Sequence, residues 1–161
     1  MFPHSLKSFA RSVSLPLALC LAVPSLLGLG LGGCGRYSRT KQCRALIAQV
    51  NPALDDVLTI TRGGEASDAG VLGSGAYIAA AGRYERLAKA LGPMEFATED
   101  MAKLVAEYTG VLHSTAQSLR ALAAGLDANN VVEAERANRD LDRDMGHERQ
   151  LVGRMEAWCQ P

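Results

Sequence analysis

The apolar residues between positions 43 and 159 recur at steps of three and four, which is the spacing of one face of an α-helix. Four stretches show this spacing, and each predicts an amphipathic helix. The apolar positions are Cys43, Leu46, Ile47, Val50, Leu54, Val57 and Leu58 in the first stretch, Tyr77, Ile78, Ala81, Tyr84, Leu87, Ala88 and Leu91 in the second, Met101, Leu104, Tyr108, Leu112, Thr115, Leu119 and Leu122 in the third, and Val131, Ala134, Leu141, Met145, Val152 and Met155 in the fourth.

Residues that cap or end helices separate these stretches. They are the loop residues 62–70, Gly92 and Pro93 after the second helix, Thr98 as N-cap of the third, Gly125 after the third, and Asp127 as N-cap of the fourth. Pro52, preceded by Asn51, is expected to kink the first helix. Four amphipathic helices with short connections predict an all-α protein, an up-down-up-down four-helix bundle over residues 42–161.

Composition agrees with a small helical domain and excludes several functions. The chain has 161 residues, the size of about one domain. Aromatic residues make up only 5%, which disfavours a β-sandwich. Lys and Arg total 17, as do Asp and Glu, and this balance disfavours a nucleic-acid-binding protein. The sequence has no phosphate-binding loop, dinucleotide fingerprint or zinc-protease motif.

The first 33 residues have the organisation of an export signal. Lys7 and Arg11 precede a Leu-rich stretch, residues 12–33, that carries no charge. The stretch is long enough to span a bilayer, so an uncleaved membrane helix is an alternative, and ordinary secretion is another. Its prolines and its Gly-rich end disfavour a membrane helix. The residues after Cys34 are basic, and basic residues are more usual on the cytoplasmic side of a membrane helix than on the exported side. This observation also disfavours an uncleaved membrane helix.

The end of this stretch, Leu31-Gly32-Gly33-Cys34, resembles the lipobox of bacterial lipoprotein precursors. The resemblance covers only the first 34 residues, and the family of the mature domain is not recognised. It implies that residues 1–33 are a signal peptide, that Cys34 is the first residue of the mature chain, and that its thiol carries a diacylglycerol. Residues 34–41 would then be a polar tether. We expect a protein held by lipid at the cell membrane or outer membrane, facing the periplasm or the exterior.

The cysteine count suits the same compartment. Cys20 would leave with the signal peptide and Cys34 would be acylated, which leaves Cys43 and Cys159. Thiols in an oxidising compartment tend to pair, so we expect a Cys43–Cys159 disulfide; two buried free thiols are the alternative. In an up-down-up-down bundle both cysteines would lie at the same end, next to Cys34. The spacing lacks the local pairs of structural zinc sites.

No catalytic site, metal site or cofactor is predicted. The Glu-x-x-His repeats of di-iron bundles are absent. His113 and His147 would be offset by about 9 Å along facing helices, too far to share one ligand. The predicted function is therefore non-enzymatic: an envelope accessory or protein-interaction module. The alternative is a carrier of a small ligand or haem in the bundle core.

The unequal helix lengths suggest a place for a partner protein. The third and fourth helices are predicted at roughly 45 Å and the first two at roughly 30 Å, so the longer hairpin would overhang. Its apolar residues are Leu119, Leu122, Leu126, Val131 and Val132. An uncovered apolar surface there would bind a partner. Errors of a few residues in the helix ends would remove the overhang. The charged residues of the fourth helix are interpreted as a solvated face rather than a docking surface.

Overall fold

The computed structural model describes residues 33–63 and 73–160, and this part of the chain is entirely helical outside its turns. Helix α1 spans Gly33–Gly63, α2 spans Ser74–Leu91, α3 spans Glu99–Asp127 and α4 spans Val131–Cys159. The predicted all-α class is therefore confirmed for the described residues. The predicted signal peptide up to Gly32 and the central loop residues 64–72 lie outside them.

The helices pack mainly against their neighbours in the chain, α1 on α2, α2 on α3 and α3 on α4, as in a helical bundle. Helix α4 runs antiparallel to α3, because Tyr108 contacts Glu148 while Ser118, further along α3, contacts the earlier Asp144. Between α1 and α4 the contacts are sparse.

Helix α3 contributes more buried residues to the core than any other helix. All seven positions of its predicted apolar stripe are buried, so the periodicity identified its inner face correctly. Met101, Tyr108, Leu112 and Thr115 are among the side chains that are almost completely enclosed. Helix α2 contributes Leu91 to this core, and α4 contributes mainly Leu151 and Met155.

Two predicted helix ends are confirmed. Thr98 is the N-cap of α3, and its hydroxyl accepts a hydrogen bond from the backbone N–H of Met101. Gly92 caps the end of α2, where its N–H donates to the carbonyl of Ala88. Thr is favoured at helix N-termini, and Thr98 precedes the apolar pattern of α3. Gly is favoured at helix C-termini, and Gly92 follows the apolar pattern of α2.

The turn between α3 and α4 differs from the prediction. Gly125 and Asp127 both lie inside α3, and Asn130 caps α4 by accepting from the N–H of Glu133. The reversal occurs at Asn129, whose φ of 50° is left-handed. Gly125 serves the packing of the two helices instead, because a Cβ at this position would lie 2.8 Å from the backbone nitrogen of Ala134.

Helix α1 is longer and more continuous than predicted. It begins at Gly33, so residues 34–41, the predicted polar tether, are helical. After Gly35 no glycine or proline interrupts the sequence until Pro52, and the helix continues through Pro52 as well. The first part of α1 is also held from outside, because the Arg39 guanidinium lies 4.7 Å from the centre of the Trp158 ring.

Candidate functional site

A disulfide joins α1 to the end of α4. Cys43 and Cys159, the pair predicted from the sequence, lie at disulfide-bonding distance with their Cα atoms 5.9 Å apart. Trp158 packs against the core beside this bond and lies under Arg39. We call these four residues the stapled end.

Cys34, the predicted acylation site, is the second residue of α1, and its side chain lies outside the described part of the structure. Nine residues of helix separate it from Cys43, a rise of about 14 Å. No helix in residues 33–63 or 73–160 has a stretch long and apolar enough to cross a membrane.

At the start of α4, which lies away from the disulfide, fewer of the predicted partner-binding residues are exposed than expected. Val131 and Val132 are 68% and 72% exposed, whereas Leu119 and Leu122 are only 6% and 7% exposed. Leu126 is half-buried. The two buried leucines correct the expectation of a broad uncovered overhang. Tyr77 of α2 lies beside Leu122, where both side chains line one cleft, so α2 extends to this part of the α3–α4 hairpin.

Next to the turn, side chains of α2, α3 and α4 line a shallow, open cleft of about 330 Å³. Its walls combine apolar and polar side chains: Tyr77, Leu122, Leu126, Ala134, Glu135, Asn138 and Arg139. We call this cleft, together with the exposed Val131 and Val132, the distal tip. An apolar cleft with a few polar groups beside it can accept apolar side chains of a partner and orient them through the polar groups.

Both histidines of the helical domain lie on the surface. His113 of α3 and His147 of α4 are exposed, so neither reaches into the core. Within the described part of the chain, no group of three or more His, Cys, Asp or Glu residues is placed to hold a metal ion.

The interface between α3 and α4 contains a carboxylate that the apolar pattern of the sequence did not indicate. Asp144 is buried, and one of its oxygens accepts hydrogen bonds from Ser114 Oγ at 2.6 Å and Ser118 Oγ at 3.2 Å. Its other oxygen lies 3.7 Å from the Arg143 guanidinium. Hydroxyl donors and a nearby cation offset the cost of burying the charge.

A second carboxylate, Glu148, lies one helical turn further along α4. It accepts a hydrogen bond of 3.2 Å from the Tyr108 hydroxyl. Burial raises the pKa of Glu148, although the Tyr108 hydrogen bond and Arg149 act in the opposite direction. Burial also raises the pKa values of Tyr84 and Tyr108, and the nearby Glu148 raises both further. The tyrosines therefore remain protonated and Tyr108 acts as a donor.

These acids explain why the predicted inner face of α4 was wrong in part. Its buried residues are Ala137, Asp144, Leu151 and Met155, whereas the predicted Val131 is exposed. Acidic residues normally lie on the solvated face of a helix. The spacing of the apolar residues alone therefore predicted an orientation of α4 in which its acidic residues faced the solvent. The spacing of Ser114 and Ser118, one turn apart, could have identified the position opposite Asp144.

The hydrogen bonds of Asp144 and Glu148 indicate that both residues have a structural role. Their hydrogen-bond donors come from α3, so both acids fix how α4 lies on α3. The cleft with space for a ligand or partner is instead at the distal tip. No protein-family model, no curated protein and no solved structure matches this chain.

Proposed function

We propose that this protein is a bacterial lipoprotein of the cell envelope whose helical domain binds another protein and catalyses no reaction. The Cys43–Cys159 disulfide is the observation that carries this proposal. Stable disulfides are typical of proteins outside the cytoplasm. Residues 31–34, shortly before Cys43, resemble a lipobox, and this resemblance also favours a location outside the cytoplasm.

In this proposal residues 1–33 are removed and a lipid on Cys34 holds the mature chain at the cell membrane or outer membrane. Two or more acyl chains anchor a protein firmly without a spanning helix, since each buried methylene contributes about 0.8 kcal/mol. The helical domain would then face the periplasm or the exterior.

The proposed bundle has up-down-up-down order, with the stapled end towards the membrane and the distal tip away from it. Helix α4 extends from Cys159 to Val131, a length of about 42 Å. A partner would meet the tip at that distance from the stapled end.

The partner that suits the distal tip is a protein that presents one or two apolar side chains. The cleft of about 330 Å³ is at the small end of the range for binding sites, which suits side chains better than a large cofactor. Val131 and Val132 would add apolar contact, and Glu135 and Arg139 would bind polar groups around it.

The anchor is tested by measuring the intact mass of the protein extracted from its own membranes. We expect a chain that begins at Cys34, carries acyl chains and is two hydrogens lighter than its reduced form. Cys34→Ala should abolish both processing and acylation, whereas Cys20→Ala, the matched control, should leave them unchanged. An intact, unacylated 161-residue chain in the membrane would overturn the proposal.

The binding role is tested by cross-linking from the tip in intact cells. A photoreactive residue at Val132 should give a discrete adduct with an envelope protein, and Val131→Asp should abolish that adduct. The same residue placed at Gly110, exposed on the outer side of α3, is the control. Equal cross-linking from both positions would show that the tip has no special affinity.

A further inference from the structure

The charges of this protein are strongly separated along the chain, although they cancel overall. No Asp or Glu occurs before Asp55, and the first part of α1 carries Arg36, Arg39, Lys41 and Arg44. Residues 55–161 hold all 17 acidic residues against 11 basic ones, which is a net charge of −6. Helix α1 therefore begins in a basic segment, and the rest of the domain is acidic.

Two of these basic side chains are available to bind anions. Lys41 and Arg44 are exposed. Within the described part of the chain neither forms a salt bridge; the ion pairs there join residues of α1–α4 from Asp56 onwards. Arg39 is half-buried, with its guanidinium over the Trp158 ring.

These charges surround the helix. Successive residues are about 100° apart around an α-helix, so Lys41 and Arg44 lie about 60° from each other, and Arg39 lies about 140° or more from both. A stripe of charge on one face would suit a helix lying flat on a surface. Charges on several sides suit a helix that meets a surface end-on.

We propose that residues 36–44 form a basic collar that binds the anionic phospholipid headgroups of the membrane in which Cys34 is anchored. This inference rests on the proposed lipid anchor for its geometry. With the lipid at Cys34, Arg39 lies about 8 Å and Arg44 about 15 Å further along the helix. Electrostatic attraction extends about 8–10 Å at physiological ionic strength, so the start of the collar is within range of the headgroups.

The acidic remainder of the domain fixes the direction of the molecule. An anionic surface attracts the collar and repels residues 55–161, so the bundle is held upright with α1 leading to the membrane. The lipid supplies attachment, and the collar supplies orientation and a preference for anionic membranes.

The test measures how the protein, as purified from its membranes, distributes between two vesicle populations offered together. One population is phosphatidylcholine, and the other contains about 30% phosphatidylglycerol. The wild-type protein should favour the anionic vesicles at low salt, and 0.5 M NaCl should remove the preference. At about 0.01 M salt the screening length is about 30 Å, so both Lys41 and Arg44 are within range of the headgroups. The double variant K41Q/R44Q should then lower the anionic-to-neutral ratio by up to about 25-fold, since a basic residue near a surface contributes about fivefold.

The matched control is R86Q/R136Q, which changes the net charge equally at exposed positions of α2 and α4. It should leave the vesicle ratio near that of the wild type. An equal loss in both double variants would show that net charge alone acts, and an unselective wild-type protein would overturn the collar.

The anchor and the collar can fail separately. Acylated protein that binds both vesicle types equally would refute the collar and retain the anchor. Protein shown by mass to lack acyl chains, yet selective for anionic vesicles through Lys41 and Arg44, would refute the anchor and retain the basic segment as a headgroup-binding site.

Discussion

The Tyr108 hydroxyl donates a 3.2 Å hydrogen bond to the Glu148 carboxylate in the interface between α3 and α4. Because burial raises the pKa of Glu148, its ionised form is less favourable in the folded protein than in the unfolded chain. The folded state therefore holds this proton more tightly than the unfolded state does.

The first prediction concerns pH. Below the unfolded pKa both states are protonated and Glu148 costs nothing. As pH rises through the folded pKa, its contribution to the free energy of unfolding falls. Glu148→Gln, which keeps an acceptor for Tyr108 but has no charge, should raise the free energy of unfolding at pH 8 and leave it unchanged at pH 4.

Urea unfolding at a series of pH values measures this difference. Glu95→Gln is the control, because Glu95 is exposed and the substitution removes the same charge from the surface. A wild-type minus E148Q difference that does not vary with pH would contradict the prediction.

The second prediction concerns Asp144. Asp144→Ala removes the acceptor of Ser114 and Ser118, and Ser118 is buried. We expect a loss of about 2 kcal/mol in the free energy of unfolding. In the D144A background, S114A/S118A should lower the free energy of unfolding less than in the wild type, because the hydroxyls no longer have a carboxylate to which they can donate. Asp142→Ala, at an exposed neighbouring position, should stay within about 0.5 kcal/mol of the wild type.

The third prediction compares two glycines of α3. Gly125→Ala would place a Cβ 2.8 Å from the Ala134 nitrogen, so α3 and α4 must separate, at a cost of about 1–3 kcal/mol. Gly110→Ala meets no atom within 4 Å and should stabilise the helix by about 1 kcal/mol. Thermal unfolding should show a lower melting temperature for G125A and a higher one for G110A. Equal destabilisation by the two substitutions would contradict the close packing of Gly125 against Ala134.

The fourth prediction concerns the disulfide, whose cysteines are 116 residues apart. Removing it with C43S/C159S should lower the free energy of unfolding by about 4–5 kcal/mol, the chain-entropy value for so long a loop. A reducing agent should shift the wild type towards the variant and leave the variant unchanged. Equal stability of oxidised and reduced wild-type protein would refute a stabilising role.

The sequence predicted what depends on local patterns. The apolar stripe of α3 and the caps at Thr98 and Gly92 follow from short-range signals and are found in the structure. The Cys43–Cys159 pairing followed from the compartment and from elimination of the other cysteines. These features need no knowledge of how one helix lies on another.

What the sequence did not predict depends on contacts between helices. Gly125 resembles a helix stop until Ala134 is seen against it. Asp144 resembles a surface residue until Ser114 and Ser118 are placed opposite. Leu122 resembled part of an open surface because helix lengths alone do not show that Tyr77 of α2 lies beside it.

The bond between Cys43 and Cys159 also determines how the molecule carries mechanical load. Through the backbone alone, tension applied at Val132 would reach Cys34 only by way of α3, α2 and α1. The disulfide provides a shorter route, down α4 to Cys159 and directly into α1 at Cys43. A pull on the tip is thus transmitted along α4, across one covalent bond and through the first part of α1, while α2 and α3 lie outside this covalent route.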